Sequence, residues 1–219
     1  MRKIIIFGGK GTAINIADHI VDAANRFGEK ISLLGFAIDD PSLGNSINGY
    51  PVLCKTNEVA ARYTHRDVEF IFALYKPEKM KERVAILGSY GIDPSRFASF
   101  VHPSCYVSAS ARIGRGTVIL SHCSINANVT LGNFNIVNSS VVVEHDSSLA
   151  NYVFVAAGTC IGANVHIKDG AFLGLKSTIR EQLTIGNYAF IGMGSNVLRD
   201  VSDGITVYGN PARMAYDPL

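Results

Sequence analysis

The sequence predicts two domains of different class, an α/β domain first and an all-β hexapeptide solenoid after it. Three observations carry this. From Val101 to Val197 every sixth residue is Val, Ile or Leu, 17 positions without a miss. These types make up about a quarter of the chain, so such a run in one frame has odds on the order of 10^-10. Before Val101, short apolar runs alternate with helical stretches, the pattern of a parallel sheet covered by helices. The first apolar run ends in Gly8-Gly9-Lys10-Gly11, a turn from strand to helix. The hexad phase begins near Ser99, which gives domains 1–98 and 99–219.

In the first domain, Ile4-Ile5-Ile6-Phe7 reads as a short buried strand. Thr12 is a candidate N-cap. Ala13 to Phe27 follows as a helix with Ile14, Ala17, Ile20, Val21 and Ala24 on one side. Ile31 to Ala37 is a second strand, ended by Ile38-Asp39-Asp40-Pro41. Lys55 to Tyr63 has helical character, and Val68 to Leu74 is a third strand. Pro77 to Tyr90 reads as a helix with proline near its start.

In the second domain the residue after each aliphatic is often Gly or Ala, as at Gly114, Gly132, Ala150, Gly162, Gly174 and Gly192. The fifth hexad position is small or β-branched. Asn and Gly recur elsewhere, and both tolerate the positive φ of sharp corners. Period six fits neither a heptad nor a flat sheet. It fits a short strand plus a corner, three of which close an 18-residue coil with aliphatics inward. Seventeen hexads make between five and six coils, a prism roughly 27 Å long at a strand spacing of about 4.8 Å. Cys105 and Cys123 then lie one above the other. They read as small core residues of one column, although a disulfide there is conceivable.

Composition excludes several classes. The 219 residues carry a net charge of +2, with 17% charged and 47% hydrophobic residues, and the mean hydropathy is +0.20. Nucleic-acid binders usually show a strongly basic face, and disordered chains combine low hydrophobicity with high charge. The low charge suggests that another subunit covers part of the surface. No apolar run approaches the roughly 20 residues of a membrane span. Four apolar residues before the first glycines are too few for a signal-peptide core. The four cysteines form no CxxC pair, which points to a reducing, cytoplasmic setting.

Candidate chemistry starts with the glycine turn, whose backbone N–H groups could meet a phosphate. The dinucleotide fingerprint is incomplete, because Ile14 stands at its last glycine. Asp39 and Asp40 follow the second strand, where ribose-binding acids often sit. They equally suit a solvated turn before Pro41. Among six histidines, His122, His145 and His166 are spaced by 23 and 21 rather than 18, so no three-histidine metal site is expected within one chain. His145 is flanked by Glu144 and Asp146. An imidazole with a carboxylate partner is a general base with fixed orientation, and spacing leaves either acid eligible. Ala163 lies one coil above His145, where a backbone N–H could stabilise an oxyanion.

The whole chain resembles the sugar acetyltransferases of the sialic-acid O-acetyltransferase and bacillosamine N-acetyltransferase type. The matching pieces are Ile4 to Gly11, Gly35-Phe36-Ala37-Ile38-Asp39-Asp40-Pro41, Gly49-Tyr50-Pro51-Val52-Leu53, His102-Pro103-Ser104, Val137-Asn138 to Glu144-His145-Asp146, and Val207-Tyr208-Gly209-Asn210-Pro211-Ala212-Arg213. The resemblance implies a Rossmann-like N-terminal domain and a left-handed parallel β-helix. It implies a homotrimer with acetyl-CoA, and no metal, bound along the solenoid at a subunit boundary. It makes His145 the base and Asp146 its helper, acting on an amine or hydroxyl of a nucleotide-linked sugar. Ala163 matches the oxyanion donor, and Gly174, Leu175 and Gly192 fall in the coenzyme-binding stretch. Gly9, Lys10, Gly11, Thr12, Asp39 and Asp40 would hold the nucleotide.

Three positions depart from the family. Gly11-Thr12-Ala13 replaces Gly-His-Gly. Tyr75 stands where relatives carry glycine, and fills or reshapes the base pocket. Phe154 replaces a coenzyme-contacting histidine of some members. Alternatives are an acyltransferase with a non-nucleotide acceptor, and a non-catalytic trimeric scaffold.

Overall fold

The structure is a computed structural model that describes residues 1–215. The chain divides into two compact units, Met1–Pro103 and Ser104–Leu219. The division falls a few residues after the start of the hexad phase and leaves His102 in the first unit. Its ring is buried, lies edge-on to His19 and Phe27, and places Nε2 3.1 Å from the Asp22 carboxylate.

The first unit contains β1 (Arg2–Phe7), α1 (Thr12–Phe27), β2 (Ile31–Ala37), β3 (Ser46–Ile47), β4 (Tyr50–Cys54), α2 (Val59–Arg62), β5 (Val68–Phe72) and α3 (Met80–Ser89). The sheet order is β3-β4-β2-β1-β5. β4, β2, β1 and β5 run parallel, and β3 is antiparallel to β4. Ile4 to Phe7 of the central β1 are fully buried, as a continuous apolar run in a parallel sheet demands. Strand order reverses at β1, with β2 on one side and β5 on the other. In such sheets the crevice at the carboxyl ends of the strands beside the switch is where ligands bind.

Four local expectations need correction. Thr12 is not the N-cap: Gly11 holds that position at φ 48°, with no side-chain cap bond. The buried face of α1 is Ala13, Ile16, Ala17, Ile20 and Ala23: Ala17 and Ile20 are buried as expected, while Ile14, Val21 and Ala24 are only half-buried. The apolar stripe is wide enough for both frames, and the turn into the helix selects the one facing β1 and β2. The helices expected from Lys55 and Pro77 begin as 3₁₀ turns, Thr56–Glu58 and Pro77–Lys79, before α2 and α3. The β3–β4 hairpin was not anticipated. Its two-residue turn is Asn48-Gly49, with φ 48° and 81°, the residue pair that a twisted hairpin favours.

In the second unit and its approach, all 17 hexad aliphatics close a two-residue strand. Pairing is parallel and 18 residues apart, as in Tyr106↔Ser124↔Val142↔Cys160. Three faces result. The first runs through the strands at 106, 124, 142, 160, 178 and 196. The second runs through 112, 130, 148, 166 and 184, and the third through 118, 136, 154, 172, 190 and 206. From Ile119 onward the hexad aliphatics are nearly all inaccessible. Their burial is worth about 25 cal/mol per Å² of apolar surface removed from water.

Each corner turns on a left-handed residue. Ten non-glycine residues, from His122 to Tyr188, hold φ near +60° at multiples of six. Each costs roughly 1–2 kcal/mol in isolation. The corner backbone is bonded to the coil below, as in Asp146 N–H to Ala127 O at 2.9 Å and Asn164 N–H to His145 O at 3.1 Å. Polar residues in the fifth column find partners inside the prism. Thr117, Ser147 and Thr159 donate to the carbonyls of Gly132, Gly162 and Gly174. The Cys105 and Cys123 thiols do the same to Leu120 and Asn138, and both cysteines are free.

Candidate active site

His145 and Asp146 occupy the corner between the first and second faces. Val143 is drawn inward and Ser147 bonds to the Gly162 carbonyl, so the corner between them projects outward. The αL conformation of Asp146, at φ 60°, folds its carboxylate back onto the preceding ring. Nδ1 of His145 lies 2.7 Å from Asp146 Oδ2. Asp146 Oδ1 accepts from Asn128 Nδ2, one coil below, at 2.9 Å. The bond from His145, aided by that from Asn128, holds the Asp146 carboxyl below the usual carboxylate range. Both side chains remain about half exposed, at 55% and 45%. Of the two flanking acids, the geometry therefore selects Asp146 rather than Glu144.

Ala163 lies on the same corner, one coil above. Its carbonyl accepts from Gln182 N–H at 2.9 Å. Its own N–H has no hydrogen bond among the described residues. Gly174, Leu175 and Gly192 lie elsewhere, at the corner between the third and first faces. A Cβ at Gly174 would come within 2.6 Å of the Met193 backbone nitrogen, so that column admits no side chain there. Leu175 and Met193, one coil apart, are exposed at 51% and 76%. Phe154 lies on the third face and begins a stack of parallel rings, 5.2 Å to Phe172 and then 4.7 Å to Phe190. Within one chain, the His145 corner and the Leu175 corner are thus separate edges of the prism.

In the first unit a cavity of about 420 Å³ opens at the carboxyl ends of β1, β2 and β5. Gly9, Lys10, Asp39, Asp40 and Tyr75 all line it, whereas Gly11 and Thr12 lie outside the lining. Gly9 lies against two side-chain ends: a Cβ there would press on Ile38 Cδ1 and come within 2.7 Å of Ile47 Cδ1, so those side chains would have to turn aside. The Lys10 ammonium is 2.8 Å from Asp40 Oδ2. That bond, with those from the Ser42 hydroxyl and N–H, holds the Asp40 carboxyl down at about 2. Asp39 accepts from the Thr56 N–H at 2.9 Å and hydroxyl at 2.7 Å. Tyr90 donates to the same hydroxyl at 2.9 Å. Both acids are thus anchored within the chain.

Sequence reasoning missed Thr56, Lys76 and Arg83 in this lining. For Lys76 the available signal was its place after β5; Thr56 follows β4, and Arg83 lies in the first turn of α3. Among the described residues no group of three His, Cys, Asp or Glu could hold a metal ion. No helix among them is long and apolar enough to cross a membrane.

Known proteins share this fold. The acetyltransferase domain of PglB from Neisseria gonorrhoeae FA1090 is 27% identical over 98% of this chain and 100% of that chain, with a TM-score of 0.83. That domain has also been solved in complex with acetyl coenzyme A. WeeI from Acinetobacter baumannii AYE is 27% identical over 98% of this chain and 100% of that one, with a TM-score of 0.76. PerB from Caulobacter crescentus, solved with CoA and GDP-perosamine, shares the fold at 24% identity, covering 97% of each chain with a TM-score of 0.80. The resemblance to hexapeptide-repeat sugar acetyltransferases is borne out. No curated protein matches the chain. A family model described as the GMPPB C-terminal domain matches residues 97–208. That match takes in every hexad of the prism and more than half of the sequence, and the chain belongs to the GMPPB C-terminal domain family.

Proposed function

We propose that this protein is an acetyl-CoA-dependent acetyltransferase that acetylates an amine or hydroxyl of a nucleotide-activated sugar. The observation that carries it is the His145–Asp146 contact at 2.7 Å on an exposed corner, in a fold shared with an acetyltransferase domain solved with acetyl-CoA. The carboxylate faces Nδ1, so the ring proton resides there and Nε2 presents its lone pair outward. Nε2 takes the proton of the acceptor amine or hydroxyl as that group attacks the thioester carbonyl. The N–H of Ala163 faces the oxyanion that forms. The intermediate collapses with departure of the coenzyme thiolate, which takes the proton back from His145.

In this reading the left-handed prism is the acyl-transfer half. The Rossmann-like first unit holds the nucleotide in the cavity of Gly9, Lys10, Asp39, Asp40 and Tyr75. Asp39 and Asp40 act chiefly by fixing the Thr56 and Lys10 walls. The protein is a homotrimer. The His145 edge and the edge carrying Gly174, Leu175 and Gly192 belong to one site only when a neighbouring copy brings them together. The exposed Leu175 and Met193 support coverage of that edge by coenzyme or a second chain.

Thiol release from acetyl-CoA, followed across nucleotide-linked amino and hydroxy sugars, tests the reading. Release is expected only when such an acceptor is present. Equal release with free sugars would move the acceptor out of the first unit and favour a non-nucleotide substrate.

A further inference from the structure

Arg83 stands on α3, the helix after β5, and lines the cavity next to the Tyr75 strand end. Its Nε is buried and has no hydrogen-bond partner among the described residues. Buried polar atoms are normally satisfied, so each exception calls for a cause. The acids that might have neutralised it are engaged elsewhere. Asp39 receives Thr56 on both oxygens, and Asp40 receives Lys10 and Ser42. In the proposed site the glycine turn and Lys10 supply donors for phosphate at the end of the adjacent strand, β1. What remains unmatched is the Arg83 Nε–H donor, in a lining that also carries Tyr75.

The geometry points to Arg83 as the residue that selects the nucleobase, accepting keto bases (guanine, uracil, thymine) over amino bases (adenine, cytosine). This rests on the cavity being the nucleotide-sugar site. A guanidinium only donates. It therefore needs acceptors on the base edge, such as O6 and N7 of guanine or O4 of uracil. The amino bases place an N–H donor at the same position, facing donor with donor. Because Nε is shielded by protein, the guanidinium fork turns about its side-chain torsions as the base enters. The base then supplies the partner that the chain lacks.

Calorimetric titration of the full chain with GDP, UDP, ADP and CDP tests this. GDP is expected to bind at least about 10-fold more tightly than ADP and CDP, the discrimination of one good bidentate contact, and UDP, with its single O4 acceptor, more tightly than CDP by a smaller factor. In Arg83→Gln that preference should collapse through loss of keto-base affinity, with ADP and CDP unchanged. Arg83→Lys, which keeps the charge but not the fork, should not restore it. Thermal unfolding of both variants should match the wild type, since no internal bond is lost. Equal weakening for all four nucleotides, with recovery in Arg83→Lys, would make Arg83 a phosphate ligand and overturn the proposal. Wild-type binding without base preference would overturn it and leave the nucleotide site standing. Failure of all four to bind would overturn both.

Discussion

Asp146 shows how a single backbone angle pairs a carboxylate with the preceding imidazole. A residue at φ 60° in the third corner position turns its carboxylate toward its predecessor, and Asp is among the few residues that tolerate that angle. The sequence displayed His145 between two acids, but flanking symmetry hid which one was the partner. The angle that decides it becomes legible only once the hexad phase is assigned to corners. Asp40 carries a second residue-scale consequence. Its folded carboxyl lies near 2, chiefly through the Lys10 bond, against an ordinary 3.8. A depressed carboxyl stabilises the fold above its ordinary value, and that contribution is lost as pH falls from about 4 toward about 2. NMR titration of Asp40 should give a midpoint near 2 in the wild type. In Lys10→Met it should move part of the way back up, because Ser42 still donates. An unmoved midpoint would show that Lys10 does not govern it.

Among the elements, the prism was the most legible and the hairpin the least read. A period of six over 17 strands leaves one geometry that buries every aliphatic, so pairing partners could be counted off in steps of 18. The frame of α1 was ambiguous because its apolar stripe is broad. The Asn48-Gly49 turn was a readable signal, obscured because its flanking strands are short and partly polar. Inside the prism, Asn135 tests whether buried polar residues bind coils together. It is fully buried. Its side chain donates to Ala150 O at 2.9 Å and accepts from Val153 N–H at 2.7 Å. Asn135→Leu strands both groups, at about 1–3 kcal/mol each, so urea unfolding should show a loss in that range or above. Asn135→Leu as stable as wild type would mean that the coils are held by aliphatic packing alone.

For the molecule as a whole, the sequence revealed two units and their kinds, and the resemblance supplied the reaction. In the proposed trimer the His145 edge of one copy meets the Leu175 edge of another. Light scattering should give about three times the 23.6 kDa of the chain, and a monomer at micromolar concentration would leave those edges on separate molecules. The chemistry itself is tested most directly by His145→Ala in the thiol-release assay with a turned-over acceptor. A general base contributes typically 10²–10⁴-fold, so kcat should fall by at least about 100-fold. Acetyl-CoA binding, measured by calorimetry, should persist, and Asp146→Asn should lose less. A His145→Ala protein that turns over the same acceptor at near-normal rate would contradict the mechanism, and another group would have to take the proton.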